Sequence, residues 1–440
     1  MKCDKSGSAV DVKPAGDISD YGGGSGAVFD TIVLSSVLSS NSSPVRSVTL
    51  HPGSSIVNSN VNRVVLCSNS SIESAIVRDS YVMSHSEVSD NALVSSCIVG
   101  PDCHLACGES HNSLLGPCTV SHHQSLAISH ISPGGRTNMG YGANVGSNHT
   151  GRLPDAEFWN GEGVFIGLAA VVKLSCDFVR SYYSLVAAGT AVNSGVKVTC
   201  PFSLLTSNSK GENEVRPGWV LYSSPYTVAR AANKFKTRTK AKEHRWYSAA
   251  DVFRTGVLEG MRLQIGSVGE GSVGVKIVHG GRGEEAYKNF LKMVCLEGLL
   301  AKLEGSGGVG RASIALKGAE NPLGRDAAAF PWMEPKDPWQ YHKFCLSTLY
   351  SDAAQEGELQ RHSIASMLSE LLRLHASFVR NVEKSKAKDD ARGKHITGYQ
   401  NVHPPASSDK VVNEWKEINK NLYRRVARVL GHSVSHFSKL

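Results

Sequence analysis

The sequence predicts a mainly β chain: a left-handed parallel β-helix of hexapeptide repeats with a long inserted loop, followed by an α-helical C-terminal region. Three observations carry this. Aliphatic residues recur six apart in Ile76, Val82, Val88 and Val94, in Ile166, Val172 and Phe178, and in Val186, Val192, Val198 and Leu204. That period fits neither an α-helix nor a half-buried strand, but suits a prism whose short faces each contribute one inward apolar residue. Between the aliphatics stand Ser, Asn, Gly, Thr and Asp, as in the run from Val82 to Val94, and these residues tolerate tight corners. Beyond about residue 206 the pattern turns into that of amphipathic helices. A sandwich of short strands would give turn signals without a fixed step.

Residues 1–27 are polar and glycine-rich and are read as disordered. The β-helix spans 28–205, and a Gly/Asn-rich loop at 132–163 interrupts it. A basic segment and helices follow over 206–304. Glu284 to Leu303 is the strongest helix, with Tyr287, Phe290, Leu291, Val294, Leu299 and Leu303 on one face. Residues 305–311 form a linker, and 312–440 a helical region that caps an end or flank of the β-helix. Its two helices carry Ile364 to Val379 and Val412 to Val429, and the charged stretch from Lys384 to Lys410 reads as a mobile loop between them.

With 440 residues, 41% hydrophobic and 20% charged, the composition is that of a globular protein of two or three domains. No apolar run approaches the ~18–20 residues of a membrane helix, and Met1 to Ser8 lacks the apolar stretch of a secretory signal. Ten scattered cysteines indicate free thiols in a reducing compartment. The chain ends Ser438, Lys439, Leu440, the tripeptide read by the peroxisomal import receptor, which places it in a peroxisome or glycosome. The net charge of +8 peaks between Lys234 and Arg245. A small-molecule anionic ligand accounts for that stretch better than nucleic acid does in an organelle without a genome.

Histidines cluster at His104, His111, His122, His123 and His130, with His149 in the loop. If three six-residue faces make a coil of about 18 residues and no shift like the five-residue step from Val94 to Val99 breaks the register, His104 stacks on His122, and His85, Cys103 and Ser121 line up. A general base needs an imidazole near neutrality within reach of a hydroxyl or amine. Cys103, Cys107 and His111 are zinc-ligand types at a spacing unlike common fingers, so no metal site is assigned. Gly305 to Gly310 matches G-x-G-x-x-G, but a helix precedes it where a dinucleotide site needs a strand. There is no G-x-S-x-G elbow, Walker loop or H-E-x-x-H.

The stretches Gly116 to Ser125, Asn138 to Thr150, Pro154 to Trp159 and Gly161 to Gly163 resemble an uncharacterised bacterial family, a domain of unknown function within the trimeric left-handed β-helix (LpxA-like) superfamily. The likeness runs over roughly residues 100–265, through Ser184 to Gly189, Pro201 to Leu205 and Trp219 to Tyr222. It implies a homotrimer. Members of the superfamily include acyltransferases that act on sugars, amino acids and sugar nucleotides, commonly with a histidine base in a cleft between subunits. Others are accessory domains of sugar-nucleotide pyrophosphorylases, or carbonic anhydrases sharing zinc across a trimer. This chain carries neither a pyrophosphorylase signature nor that zinc-ligand spacing.

The expectation is therefore a transferase moving an acyl group to a sugar or sugar-nucleotide acceptor, with acyl-CoA as co-substrate and no bound cofactor evident. The catalytic candidates are His122, His123 and His149. Arg136, Asn138, Asn144, Asn148 and Arg152 would donate to substrate, Tyr141 and Trp159 would stack on it, and Glu162 would orient it. A non-catalytic scaffold or ligand-binding protein is the alternative, since a loop rich in Asn and Gly serves either. The targeting tripeptide has a direct test: removing Leu440 should abolish the organellar punctae formed by the full-length chain. Identical cytosolic distributions of the two would end that assignment.

Overall fold

The computed structural model describes residues 45–147, 156–241, 252–310, 313–324, 335–351 and 358–431. It also describes short strands at Val28–Phe29, Ile32–Val33 and Val37–Ser39. Residues 45–205 wind into a parallel β-solenoid of about nine turns. Stacked inward positions run Val45, Val61, Val77, Val94, Ser110, Ala127 and Val145 on one face. They run Ile56, Ile72, Val88, Leu105, Ser121, Met139 and Ile166 on another. These side chains are almost fully buried, the solenoid equivalent of a single packed core.

The coil is shorter than a uniform six-residue step implies. Inward residues follow in the order Val77, Val82, Val88, Val94, Val99, Leu105, so one step in three spans five residues. The short step occurs where a single residue turns the corner in the left-handed region: Ser47, Arg63, Asp79, Ser96, Asn112 and Ser129, with φ between 48° and 55°. Two corrections follow. Ile76 and Leu204 lie one residue off the inward columns, which hold Val77 and Leu205. His104 pairs with Val120 rather than His122, and Ser121 stacks on Leu105 rather than Cys103.

The solenoid interior is divided. One apolar cluster spans Val45 to Leu115 and a second spans Ala127 to Val215. Between them lie Thr119, Ser121, Ser125, His130, Ser132, Thr137 and Asn160, all buried. Ser121 and Ser125 share a hydrogen bond of 2.7 Å, Ser132 and Thr137 one of 2.9 Å, and Asn160 Nδ2 lies 3.1 Å from His130 Nε2. Burial drives the His130 imidazole down to about 4, so it is neutral and serves the core rather than the surface cluster.

The 132–163 stretch is mostly solenoid, because Asn138–Met139, Asn144–Ser147 and Phe158–Trp159 pair in register with neighbouring coils. The insertion itself falls between Ser147 and Phe158. At the C-terminal end, Asn213–Arg216 pairs antiparallel with Leu204–Ser207, and Val275–Ile277 adds outside it, which covers an open sheet edge.

Among the described residues eight helices follow: α1 (Trp219–Ser223), α2 (Pro225–Arg238), α3 (Thr255–Arg262), α4 (Gly280–Gly305), α5 (Pro338–Leu349), α6 (Arg361–Gly393), α7 (Tyr399–Val402) and α8 (Lys410–Leu430). Tyr287, Leu291, Leu299 and Leu303 of α4 pack with Leu368, Leu371 and Leu372 of α6 in a helical core. α6 continues through Lys384 to Gly393, where the sequence suggests a mobile loop. The buried ammonium of Lys386 explains it, paired with Asp390 and donating to the Pro404 carbonyl at 2.8 Å. The Gly305 to Gly310 stretch is a turn after α4 whose Val309 N–H meets the Val429 carbonyl near the end of α8.

Val88 is fully buried in the solenoid. Val88→Asp should abolish the cooperative thermal unfolding transition seen by circular dichroism, since it forfeits about 1.5–3 kcal/mol of burial and strands a carboxylate inside. A wild-type melting curve would contradict this packing.

Candidate functional site

One edge of the prism seats the helices. Its corner residues Asp102, Cys118, Arg136, Tyr183 and Phe202 all have φ between 52° and 57°. Each hands its N–H to a corner carbonyl one coil earlier: Cys118 to Pro101 at 2.9 Å, Arg136 to Pro117 at 2.6 Å and Tyr183 to Glu162 at 2.8 Å. Left-handed corners aim side chains outward, so this column carries Cys118, Tyr183 and Phe202 into the helical core. Gly163 takes the corner position between Arg136 and Tyr183, where a Cβ would run into the Tyr183 ring.

Arg136 and Glu162 were expected to face substrate, but they are buried at this seam. Glu162 accepts from Arg136 Nη1 at 2.9 Å, from the Tyr183 hydroxyl at 2.6 Å and from Arg254 Nε at 2.8 Å. Burial raises the Glu162 carboxyl, but Arg254 and Arg136 outweigh it and hold it below the usual carboxylate range. The role is structural: a carboxylate from the coil binds a guanidinium from the corner and another from just before α3. The Arg136 guanidinium lies over the Phe235 ring, 4.8 Å from its centroid, and so reaches α2.

α2 is held against the same corner column by its end. The Lys240 and Ala241 N–H groups donate to the Asp102 carboxylate at 3.0 and 3.2 Å, and Thr239 Oγ1 lies 3.9 Å from Cys118 Sγ. This placement makes α2 one wall of a cleft of about 580 Å³. The wall carries Lys234, Arg238 and Lys240; the solenoid supplies His85, Glu87, Asp102, His104, His122 and His123. The imidazoles of His104 and His122 are 5.9 Å apart and those of His122 and His123 4.2 Å, in edge contact. Although the register differs from the expected one, His104 and His122 still meet across successive coils. His104 Nδ1 lies 3.2 Å from Glu87 Oε2.

His122 is half-buried. Burial first, then the neighbouring His123, His104, Lys234 and Arg238, lower its proton affinity below that of a free histidine. Its imidazole is therefore neutral at neutral pH, and its Nδ1, itself buried, has no hydrogen-bond partner among the described residues. A neutral imidazole in an open cleft can accept a proton. His123 is exposed at the corner, with φ 70°.

The other expected residues scatter over the prism. Asn138 lies on the His122 face, one coil on, between Val120 and Phe165. Tyr141, 55% exposed, follows His123 on the same corner. Asn144 is on a different face. Trp159 is on the third, its Nε1 donating to Glu157 at 2.6 Å. Asn148, His149, Arg152, Ser438, Lys439 and Leu440 lie outside the described residues. Cys103 points inward with its thiol pushed up by burial, Cys107 is exposed at a corner and His111 sits on another face. Among the described residues no three His, Cys, Asp or Glu side chains converge as metal ligands. Sequence reasoning missed Arg254, Tyr183 and Asp102, whose partners lie on distant segments and leave no local signal.

No protein-family profile matches the chain. A protein of Treponema pallidum (strain Nichols), described as uncharacterised, is 30% identical over 139 residues, 31% of this chain and 19% of that one. The match thus spans about a fifth of that relative's length. Among solved structures, a candidate acetyltransferase from Desulfovibrio desulfuricans G20 aligns over 39% of this chain and 55% of its own, at 9% identity and a TM-score of 0.14. One from Bacillus cereus aligns over 43% and 81%, at 13% identity and a TM-score of 0.15. At those scores neither likeness bears on the chemistry.

Glu162→Gln would leave two buried guanidinium groups without their anion, at a cost of about 3–5 kcal/mol near neutral pH. A carboxylate held low in the folded state contributes stability above the unfolded pKa of about 4.3. That contribution is lost as pH falls through the folded value. Thermal melts should accordingly show a large deficit for Glu162→Gln at pH 7 that narrows in acid; a constant deficit would contradict the ion-pair assignment.

Proposed function

We propose that the chain is a group transferase that moves an acyl group from an anionic thioester such as acyl-CoA to a hydroxyl or amine of a sugar or sugar-nucleotide acceptor. The supporting observation is the neutral imidazole of His122 lining a cleft whose opposite wall is cationic. In this reading His122 takes the acceptor's proton as its oxygen or nitrogen attacks the thioester carbonyl, and the proton leaves with the thiol. Lys234, Arg238 and Lys240 attract the donor. His123 and His149 are the remaining histidine candidates, and Asn138 and Tyr141 the acceptor contacts on the same side of the prism. Asn144, Asn148, Arg152 and Trp159 enter only if a neighbouring subunit's face completes the site.

A screen of acyl-CoAs against sugar phosphates and nucleotide sugars tests this. His122→Ala should lower kcat by about 10²–10⁴-fold. The kcat/KM profile should rise with pH through a midpoint below about 6.5, the ordinary histidine value. Turnover that survives both His122→Ala and His123→Ala would remove the pair from the mechanism.

A scaffold reading has its own support. Val65, Tyr81, Ile98, Leu114, Ile131 and Trp159 stack outward on successive coils of one face, without a charge among them. Tyr81, Ile98 and Trp159 are 42%, 50% and 42% exposed. Such a stripe suits self-association, and a homotrimer is the assembly proposed here. Light scattering should return three times the 47.1 kDa chain mass, and Ile98→Glu should reduce it. A wild-type value of one chain would exclude a stable trimer.

A further inference from the structure

The cleft beside α2 is lined by three acids, Glu87, Asp90 and Asp102, and three bases, Lys234, Arg238 and Lys240, and the acids are engaged elsewhere. Asp102 is occupied by the N–H groups of Lys240 and Ala241, Glu87 faces His104, and Asp90 accepts from Ser89 Oγ at 3.2 Å. Behind α2, Glu414 of α8 accepts from Asn233. Lys234, half-buried, and Arg238, exposed at the rim, have no carboxylate partner among the described residues. Arg230 adds a third positive charge on the same helix. Like charges held together and partly withdrawn from water are costly unless an anion joins them.

We infer that the cleft is a receptor for a phosphoryl dianion, clasped between Lys234 and Arg238 on α2 and the His104 imidazole on the solenoid. It rests on the transferase reading, in which the phosphoryl group would anchor the donor. The chemistry of the donors favours phosphate: a planar guanidinium, a mobile ammonium and a ring N–H approach from two sides, as tetrahedral oxygens require. Binding also draws in protons. Burial, then Arg238 and Arg230, bring the Lys234 ammonium down to about 8, against a weak opposing pull from Cys118. His85, His122, His123 and Cys107 complete the rim. A dianion opposes those charge effects and raises the Lys234 ammonium. Affinity therefore falls as pH rises through the Lys234 range.

Isothermal calorimetry on the full-length chain tests this with inorganic phosphate, adenosine 3′,5′-bisphosphate and, as uncharged control, adenosine, in buffers of different protonation enthalpy. The expected result is binding of a phosphorylated probe with net proton uptake near pH 8, and none of adenosine. Inorganic phosphate alone sufficing identifies a free-phosphate receptor, and a need for the bisphosphate a nucleotide-borne one. Lys234→Gln and Arg238→Gln should each weaken binding about ten-fold or more. Lys234→Arg should keep the affinity but lose much of the proton uptake, because a guanidinium does not titrate there. Arg392→Gln, on the 82% exposed side chain near the end of α6, should change nothing. No binding of either phosphorylated probe, or unaltered binding in both Gln variants, overturns the inference. Phosphate binding without acyl transfer would remove the transferase reading and leave this one standing. Acyl turnover at an unchanged KM in Lys234→Gln would do the reverse.

Discussion

The Glu162 carboxylate is the interaction on which the rest of the molecule turns. It is buried, and it joins Arg136 of a solenoid corner to Arg254 of the helical region. Arg136 is thereby held over Phe235, and Phe235 sits in α2 one residue from Lys234. An ion pair inside the seam thus sets where two cations stand in the cleft. Removing it would disturb a surface well away from it, because each link is a packed side chain with little room to adapt.

The solenoid supplies a rigid ruler for this arrangement. Parallel pairing at roughly 4.8 Å per coil brings imidazoles from successive coils into contact without any helix or loop to position them. The polar layer around His130 and Asn160 lies at about the same level as the seam, between the two apolar clusters. Short side-chain links join its members, with the His130 Nδ1 and Asn160 Oδ1 atoms left without partners among the described residues.

Much of the fold was legible because inward positions of a solenoid must be apolar and recur at short intervals, as Val82, Val88 and Val94 do. Of the five-residue steps, the one from Val94 to Val99 shows in the sequence, but their regular recurrence was not legible. They depend on one residue entering the left-handed region, and Asp79 or Ser96 looks no different in sequence from any other corner residue. The histidine pair was legible as a cluster, and the basic stretch as a charge run. Their meeting was not, since more than a hundred residues separate His122 from Lys234. Arg136 and Glu162 look like substrate ligands in a Gly-rich stretch until Arg254 and Tyr183 are brought to them by the fold.

The claim at the centre is that α2 and the solenoid corner form one unit, clamped through Phe235, that builds the cleft. Hydrogen–deuterium exchange on Phe235→Ala measures this most directly. Amides of residues 225–238 should lose protection, and those of Lys240 and Ala241 with them, while the coils from residue 61 to 115 exchange as in the wild type. Unchanged protection across α2 would contradict the clamp, and with it the origin proposed for the cleft.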